Sequence, residues 1–172
     1  DPGISELQLD MGVRLPLLDP DEVPSHVDGQ NPMASHAVRL PVKLEDGRLG
    51  FKTALVGRGQ DVREGCLPFT RENIVLQAFK FLGERYGWGH SYNARDCTGL
   101  VLDIYRTFGI LLPRNSSQQG ASRIGANRRF GADATEQERL EALDHARVGD
   151  LLYSPGHVMI FLGDDDGEPY VI

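Results

Sequence analysis

The chain lacks several features that would narrow its function at once. Its 172 residues hold only two cysteines, Cys66 and Cys97, and a single tryptophan. Two cysteines make no disulfide framework, and no Cys/His cluster has zinc spacing, so neither a metal nor a cofactor is expected. There is no run of eighteen apolar residues and no charged-then-apolar leader, so no membrane span and no signal peptide can be read in these residues. Positive charge is scarce too. With 18 Lys and Arg against 25 Asp and Glu the net charge is −7, which excludes a general electrostatic attraction to nucleic acid or anionic lipid. A small substrate, neutral or locally bound, is the partner left. Hydrophobic residues make up 40% of the chain, enough for a true core in one ordinary domain or a small pair.

Residues 1–65 have the texture of an all-β module: proline, glycine and short apolar runs without a sustained helical period. Strands are expected over 13–18, 37–44 and 49–56, with Glu45-Asp46-Gly47-Arg48 as a hairpin turn, because Asp-Gly accepts the positive φ of tight turns. The proline-bearing stretch 19–35 reads as a loop, and the whole as a small barrel of short strands. The texture changes at Cys66. Thr70 is a good N-cap for a helix with Ile74, Val75, Ala78, Phe79 and Leu82 as its buried stripe, ending near Gly83. Leu100, Val101, Ile104, Tyr105 and Phe108 then repeat at 3.6-residue spacing up to Gly109, a C-cap. Thr135 and Glu138 form a capping box for a short helix through Leu143, with His145 placed structurally near its end. The remainder is β again: strands over 151–153 and 157–162, a Pro155-Gly156 turn, and a further strand from Tyr170.

Cys97 falls in the first turn of its helix, where unpaired N–H groups and the helix dipole favour thiolate over thiol. A free cysteine is also among the most buried residue types, and that feature alone leaves both readings open. His157 opens a strand some sixty residues later, sharing a face with Met159 and Phe161. A cysteine at a helix start and a histidine at a strand start form a papain-like pairing in which imidazole takes the thiol proton.

Five blocks, Tyr86-Gly87-Trp88-Gly89, 96–100 (Asp-Cys-Thr-Gly-Leu), 112–119 (Leu-Pro-Arg-Asn-Ser-Ser-Gln-Gln), 148–152 and 156–163, resemble in order and spacing the NlpC-type cell-wall cysteine peptidases. The likeness covers about residues 70–172, and residues 1–65 resemble more weakly the bacterial SH3-like modules that precede such domains. It implies an α+β, papain-like domain over 66–172, with helices packed on an antiparallel sheet, after a small all-β SH3-like barrel. It also implies hydrolysis of peptidoglycan stem peptides at the γ-D-glutamyl-diamino acid bond, in the cell envelope or on recycled peptides inside the cell. By position, Cys97 is the nucleophile, His157 the base and then acid, and Tyr86 a hydroxyl for the oxyanion beside the Cys97 N–H. Asp96 and Thr98 would contact substrate, Asp96 through a free peptide amine, and Arg114 and Ser116 would hold the α-carboxylate of D-glutamate. Each has a plainer alternative: Tyr86 and Trp88 as core aromatics, Asp96 as an N-cap only, Arg114 as a surface charge. Three departures from the family pattern stand out. His90 replaces a glycine, Thr98 a serine, and the third catalytic residue is expected on a strand beyond Ile172, which marks these residues as a fragment of a longer protein. The same Cys-His pair would also serve another amidase or an acyltransferase, and the fold without turnover would make a cell-wall binding module.

The helix-start position yields a first prediction. Iodoacetamide at pH 6 should alkylate Cys97 faster than Cys66, as read by peptide mass spectrometry, and equal rates would remove the basis for an activated thiol.

Overall fold

The computed structural model describes residues 7–172. The chain divides into two compact units, Asp1–Gly65 and Cys66–Ile172.

The first unit is organised on one antiparallel hairpin, β1 (Ser35–Lys43) and β2 (Leu49–Gly57), in register from Ser35 opposite Gly57 to Lys43 opposite Leu49. Its turn forms where Asp-Gly required it. Gly47 has φ 84°, and the Asp46 carboxylate accepts from the Arg48 N–H at 3.0 Å. The strand expected over 13–18 is reduced to a single bridge between Leu17 and Val38, because proline at position 16 removes a ladder donor. Among the described residues this sheet has two strands, and no third closes it into the barrel expected from sequence.

The second unit packs helices on a three-stranded antiparallel sheet of order β3-β4-β5, with β3 at Leu151–Ser154, β4 at His157–Asp165 and β5 at Glu168–Val171. β4 is longer than its apolar run suggested. Gly163, at φ 117°, carries an irregularity through which the strand continues to a tight Asp166-Gly167 turn, both residues at positive φ. β5 consequently begins two residues before Tyr170.

Helix α1 (Arg71–Phe79) starts where the Thr70 side chain accepts from the Asn73 N–H. It stops earlier than expected. Ile74 and Ala78 are buried, but Phe79 and Leu82 are exposed, so the apolar stripe is narrower than its composition implied. Helix α2 (Cys97–Thr107) is the core element. Val101, Leu102, Ile104 and Tyr105 are buried along it, and it packs on β4 and α1. It ends in a Schellman motif: Gly109, at φ 77°, donates to the Arg106 carbonyl, and Ile110 donates to that of Tyr105. Phe69 lies between Tyr105 and Phe108, with ring centroids 5.9 and 5.1 Å away. Two short helices follow. α3 (Ser116–Ala121) lies in a stretch for which no element was expected, and α4 (Glu136–Leu143) carries the expected capping box, with the His145 Nδ1 2.6 Å from the Glu141 carbonyl oxygen.

One backbone position joins these layers. The Tyr105 hydroxyl, which burial pushes well above its ordinary pKa, donates to the Gly149 carbonyl. Gly149 has φ 95°, and a Cβ there would come within 2.5 Å of the Ile74 Cδ1. Gly149→Ala should therefore cost at least about 2 kcal/mol, from left-handed strain and overpacking together, and urea unfolding would show it as a lower midpoint with unchanged m-value.

Candidate active site

The site is built on the start of α2 and the loop before it. Asp96 is the N-cap, and its carboxylate is used fully. Oδ1 accepts from the Gly99 N–H at 2.8 Å and the Thr98 hydroxyl at 3.0 Å. Oδ2 accepts from the Arg114 guanidinium at 2.6 Å and the Gly89 N–H at 3.2 Å. A carboxylate offers about four lone-pair positions, and four donors meet them here. In this structure Asp96 caps the helix and anchors the loop. Thr98 belongs to the same network. It is 4% exposed, donates to Asp96 and accepts from Arg114. Arg114, half-exposed, directs two of its amino groups to Asp96 and Thr98 rather than leaving its fork open. Ser116 stands at the first position of α3, half-buried.

Burial opposes ionisation of Asp96, but the hydrogen bonds from Arg114, the Gly99 N–H and Thr98 outweigh it and bring its pKa to about 2.

Cys97 occupies the first helical position, half-buried. The Tyr86 hydroxyl lies against it. The two groups are close enough that the N–H and the thiol of Cys97 both act on the ionisation of the phenol. Burial first, then the charge that Cys97 carries when ionised, hold the Tyr86 hydroxyl above its usual pKa, against the pull of that N–H. Tyr86 as a residue is 58% exposed, so it is a rim residue and not a core aromatic. Trp88 is likewise exposed.

Between Tyr86 and Cys97 the chain makes a tight loop, Trp88–Asn93, in which Gly89, His90, Tyr92 and Asn93 all have positive φ. Left-handed backbone costs a non-glycine residue roughly 1–2 kcal/mol, so three such residues need compensation. It comes from Gly89 bound to Asp96, the Ser91 hydroxyl donating to the Trp88 carbonyl at 2.7 Å, and the Gly87 N–H donating to the Arg95 carbonyl at 2.9 Å. Arg95 then ties the loop to the helix. Its guanidinium pairs with Asp103 at 2.7 Å and Glu84 at 2.8 Å and lies 4.4 Å from the Phe81 ring centroid. Sequence reading missed Arg95 and Asp103. Their partners lie eight and eleven residues away across irregular chain, a spacing with no periodic signal.

His157 opens β4, the strand on which α2 packs, opposite Ser154 of β3. It is exposed, unlike the satisfied core histidine a lone imidazole would suggest, while Val158 and Ile160 on the other face are buried. Among the described residues no hydrogen bond joins it to Cys97.

Residues 83–167, which hold all of Tyr86, Cys97, Arg114 and His157, match the NlpC/P60 family. These residues are an NlpC/P60 family domain. Members of this family are peptidases and cell-wall hydrolases. The chain is 30% identical over 94 residues to dipeptidyl-peptidase 6 of Lysinibacillus sphaericus, covering 54% of this chain and 30% of that one. It is 25% identical over 150 residues to a gamma-D-glutamyl-L-lysine dipeptidyl-peptidase of Bacillus cereus, covering 76% and 40%. A bifunctional muramidase/DL-endopeptidase, CwlT, of Bacillus subtilis is 31% identical over 111 residues, covering 59% and 29%. The chain thus spans less than half the length of these relatives. A solved NlpC/P60 endopeptidase from Photobacterium damselae subsp. piscicida superposes with a TM-score of 0.45 at 26% identity, over 64% of this chain and 25% of that one.

The Asp96 anchor of the NlpC/P60 domain predicts an acid limb. Its folded pKa, about 2, lies below the ordinary 3.8, so its stabilisation is complete above about pH 4 and is lost as pH falls through 2. Urea unfolding between pH 6 and 2 should show this loss in the wild type. In Arg114→Ala the same limb should be shallower and displaced upward.

Proposed function

We propose that the second unit is a cysteine peptidase that hydrolyses peptidoglycan stem peptides at the γ-D-glutamyl-diamino acid bond. The observation that carries this reading is Cys97 at the first position of a capped helix, with the Tyr86 hydroxyl beside it, inside an NlpC/P60 domain. The bond assignment draws on the relative whose name specifies a gamma-D-glutamyl-L-lysine substrate.

The Cys97 thiolate attacks the γ-carbonyl carbon. A C–S bond forms and the carbonyl π electrons move to oxygen. The Cys97 N–H and the Tyr86 hydroxyl, already side by side, turn to that oxyanion. His157, holding the thiol proton, passes it to the leaving amine as the C–N bond breaks, and the acyl-enzyme remains. It then takes a proton from water, hydroxide attacks the thioester, and the glutamyl product leaves with the thiol restored. The Cys97–His157 hydrogen bond belongs to the substrate complex, since catalytic hydrogen bonds commonly tighten only there. The first unit, whose β1–β2 hairpin would supply two strands, is read as an SH3-like accessory module, and the place of action as the cell envelope.

Mass spectrometry of L-Ala-γ-D-Glu-diamino acid peptides incubated with the protein should show release of L-Ala-γ-D-Glu, and none with Cys97→Ala. Tyr86→Phe should lower kcat by about 10²–10³-fold, the usual effect of losing one oxyanion donor. Cleavage at another bond, or full activity without Cys97, would overturn the reading.

A further inference from the structure

The loop that carries Tyr86 is closed at its neck through Arg95. Tyr86 and Arg95 are bridge partners on neighbouring lengths of chain, and the Gly87 N–H donates to the Arg95 carbonyl at 2.9 Å. The Arg95 side chain reaches back across the same neck. Its Nη1 donates to Glu84 at 2.8 Å, and the guanidinium lies 4.4 Å from the Phe81 ring centroid. Residues 84–95 are thus a loop whose two ends are drawn together by both the backbone and the side chain of one residue, as in an Ω-loop.

The same guanidinium fixes that neck to the nucleophile helix. Nε donates at 2.7 Å to Oδ2 of Asp103, a residue of α2 that is 6% exposed, while Arg106 approaches the other oxygen at 3.4 Å. A buried carboxylate is a firm anchor, because withdrawing a partner leaves its charge uncompensated. One rigid arginine fork serves Asp103 and Glu84 together, which the point charge of a lysine does not.

Tyr86 stands on one length of the neck, and Cys97 follows two residues after the other. The Tyr86 residue is exposed at the rim, so apolar packing does little to fix its hydroxyl beside Cys97. Precision there has to come from the backbone that carries the ring.

We propose that Arg95 is a positioning residue for the reaction: by pinning the neck of the 84–95 loop to Asp103 of α2, it holds the Tyr86 hydroxyl where the oxyanion forms beside Cys97. The proposal rests on the peptidase reading above. Arg95 acts through Tyr86 and does not itself touch substrate.

The test crosses Arg95→Met, which keeps an apolar stem and removes the fork, with Tyr86→Phe. kcat and KM are read separately on an L-Ala-γ-D-Glu-diamino acid peptide, well below the melting temperature of each variant. Arg95→Met should lower kcat by about tenfold or more, as a displacement on the order of 1 Å does, while KM changes by less than about twofold. In the Tyr86→Phe background the same substitution should change kcat by less than about twofold, because the group it positions is already gone. Arg95→Lys should fall between wild type and Arg95→Met. Asp103→Asn removes the anchor with Arg95 in place, should reproduce the loss of kcat, and completes the same cycle if Arg95→Met does not fold. An unchanged kcat, or a loss of equal size with and without the Tyr86 hydroxyl, overturns the proposal and leaves Arg95 a stabilising residue while the peptidase reading stands. If the wild type cleaves no such peptide, the peptidase reading fails and takes this proposal with it.

Discussion

The carboxylate of Asp96 is the constraint on which the site depends. Its four acceptor positions reach three separate pieces of chain: the first turn of α2 through Gly99 and Thr98, the preceding loop through Gly89, and the segment after the helix through Arg114. A capping interaction is ordinarily worth about 1 kcal/mol and acts on its own helix. Here the cap also ties the left-handed loop, through Gly89, to the nucleophile helix, so the same group that starts the helix helps set where Cys97 stands relative to Tyr86. The buried carboxylate stays ionised because its charge is matched by a guanidinium and its lone pairs are filled.

Around this anchor the architecture separates rigidity from reactivity. α2 packs against β4, and Val101 and Ile104 on the one and Val158 and Ile160 on the other are all nearly inaccessible. The reactive groups sit at the edge of that core. Cys97 is at the helix start, His157 at the strand start, and Tyr86 at the rim. A helix and a strand locked by apolar packing hold their terminal residues more firmly than loops of equal length could. The loop that does approach the thiol, Trp88–Asn93, bears its strain because Arg95 fastens its far end to Asp103 and Glu84.

Much of the second unit was legible in the chain because its signals are local. The Thr70, Asp96 and Thr135 caps, the α2 period and the β3–β4 turn all operate over a few residues, and each formed where expected. The misreadings share one cause. Phe79 and Leu82 belong to an expected buried stripe read from residue type and position along the chain alone, and both are exposed. Whether a side chain at a given helical position meets core, solvent or another polar group depends on what packs across from it, and that partner lies far away in sequence.

The sequence by itself determined the helix starts, the turn chemistry and the presence of Cys97 at a first helical turn, because capping, φ preference and hydrophobic period are properties of contiguous residues. Tertiary structure alone decided that Arg114 closes on Asp96 and not on an open cleft, that Arg95 clamps the loop, and that the His90 ring lies on Gly99. The reason is physical. A charge or donor is committed by the nearest partner of opposite kind in space, and chain neighbours eight to eighteen residues apart acquire that nearness only when the loop and helix have folded together.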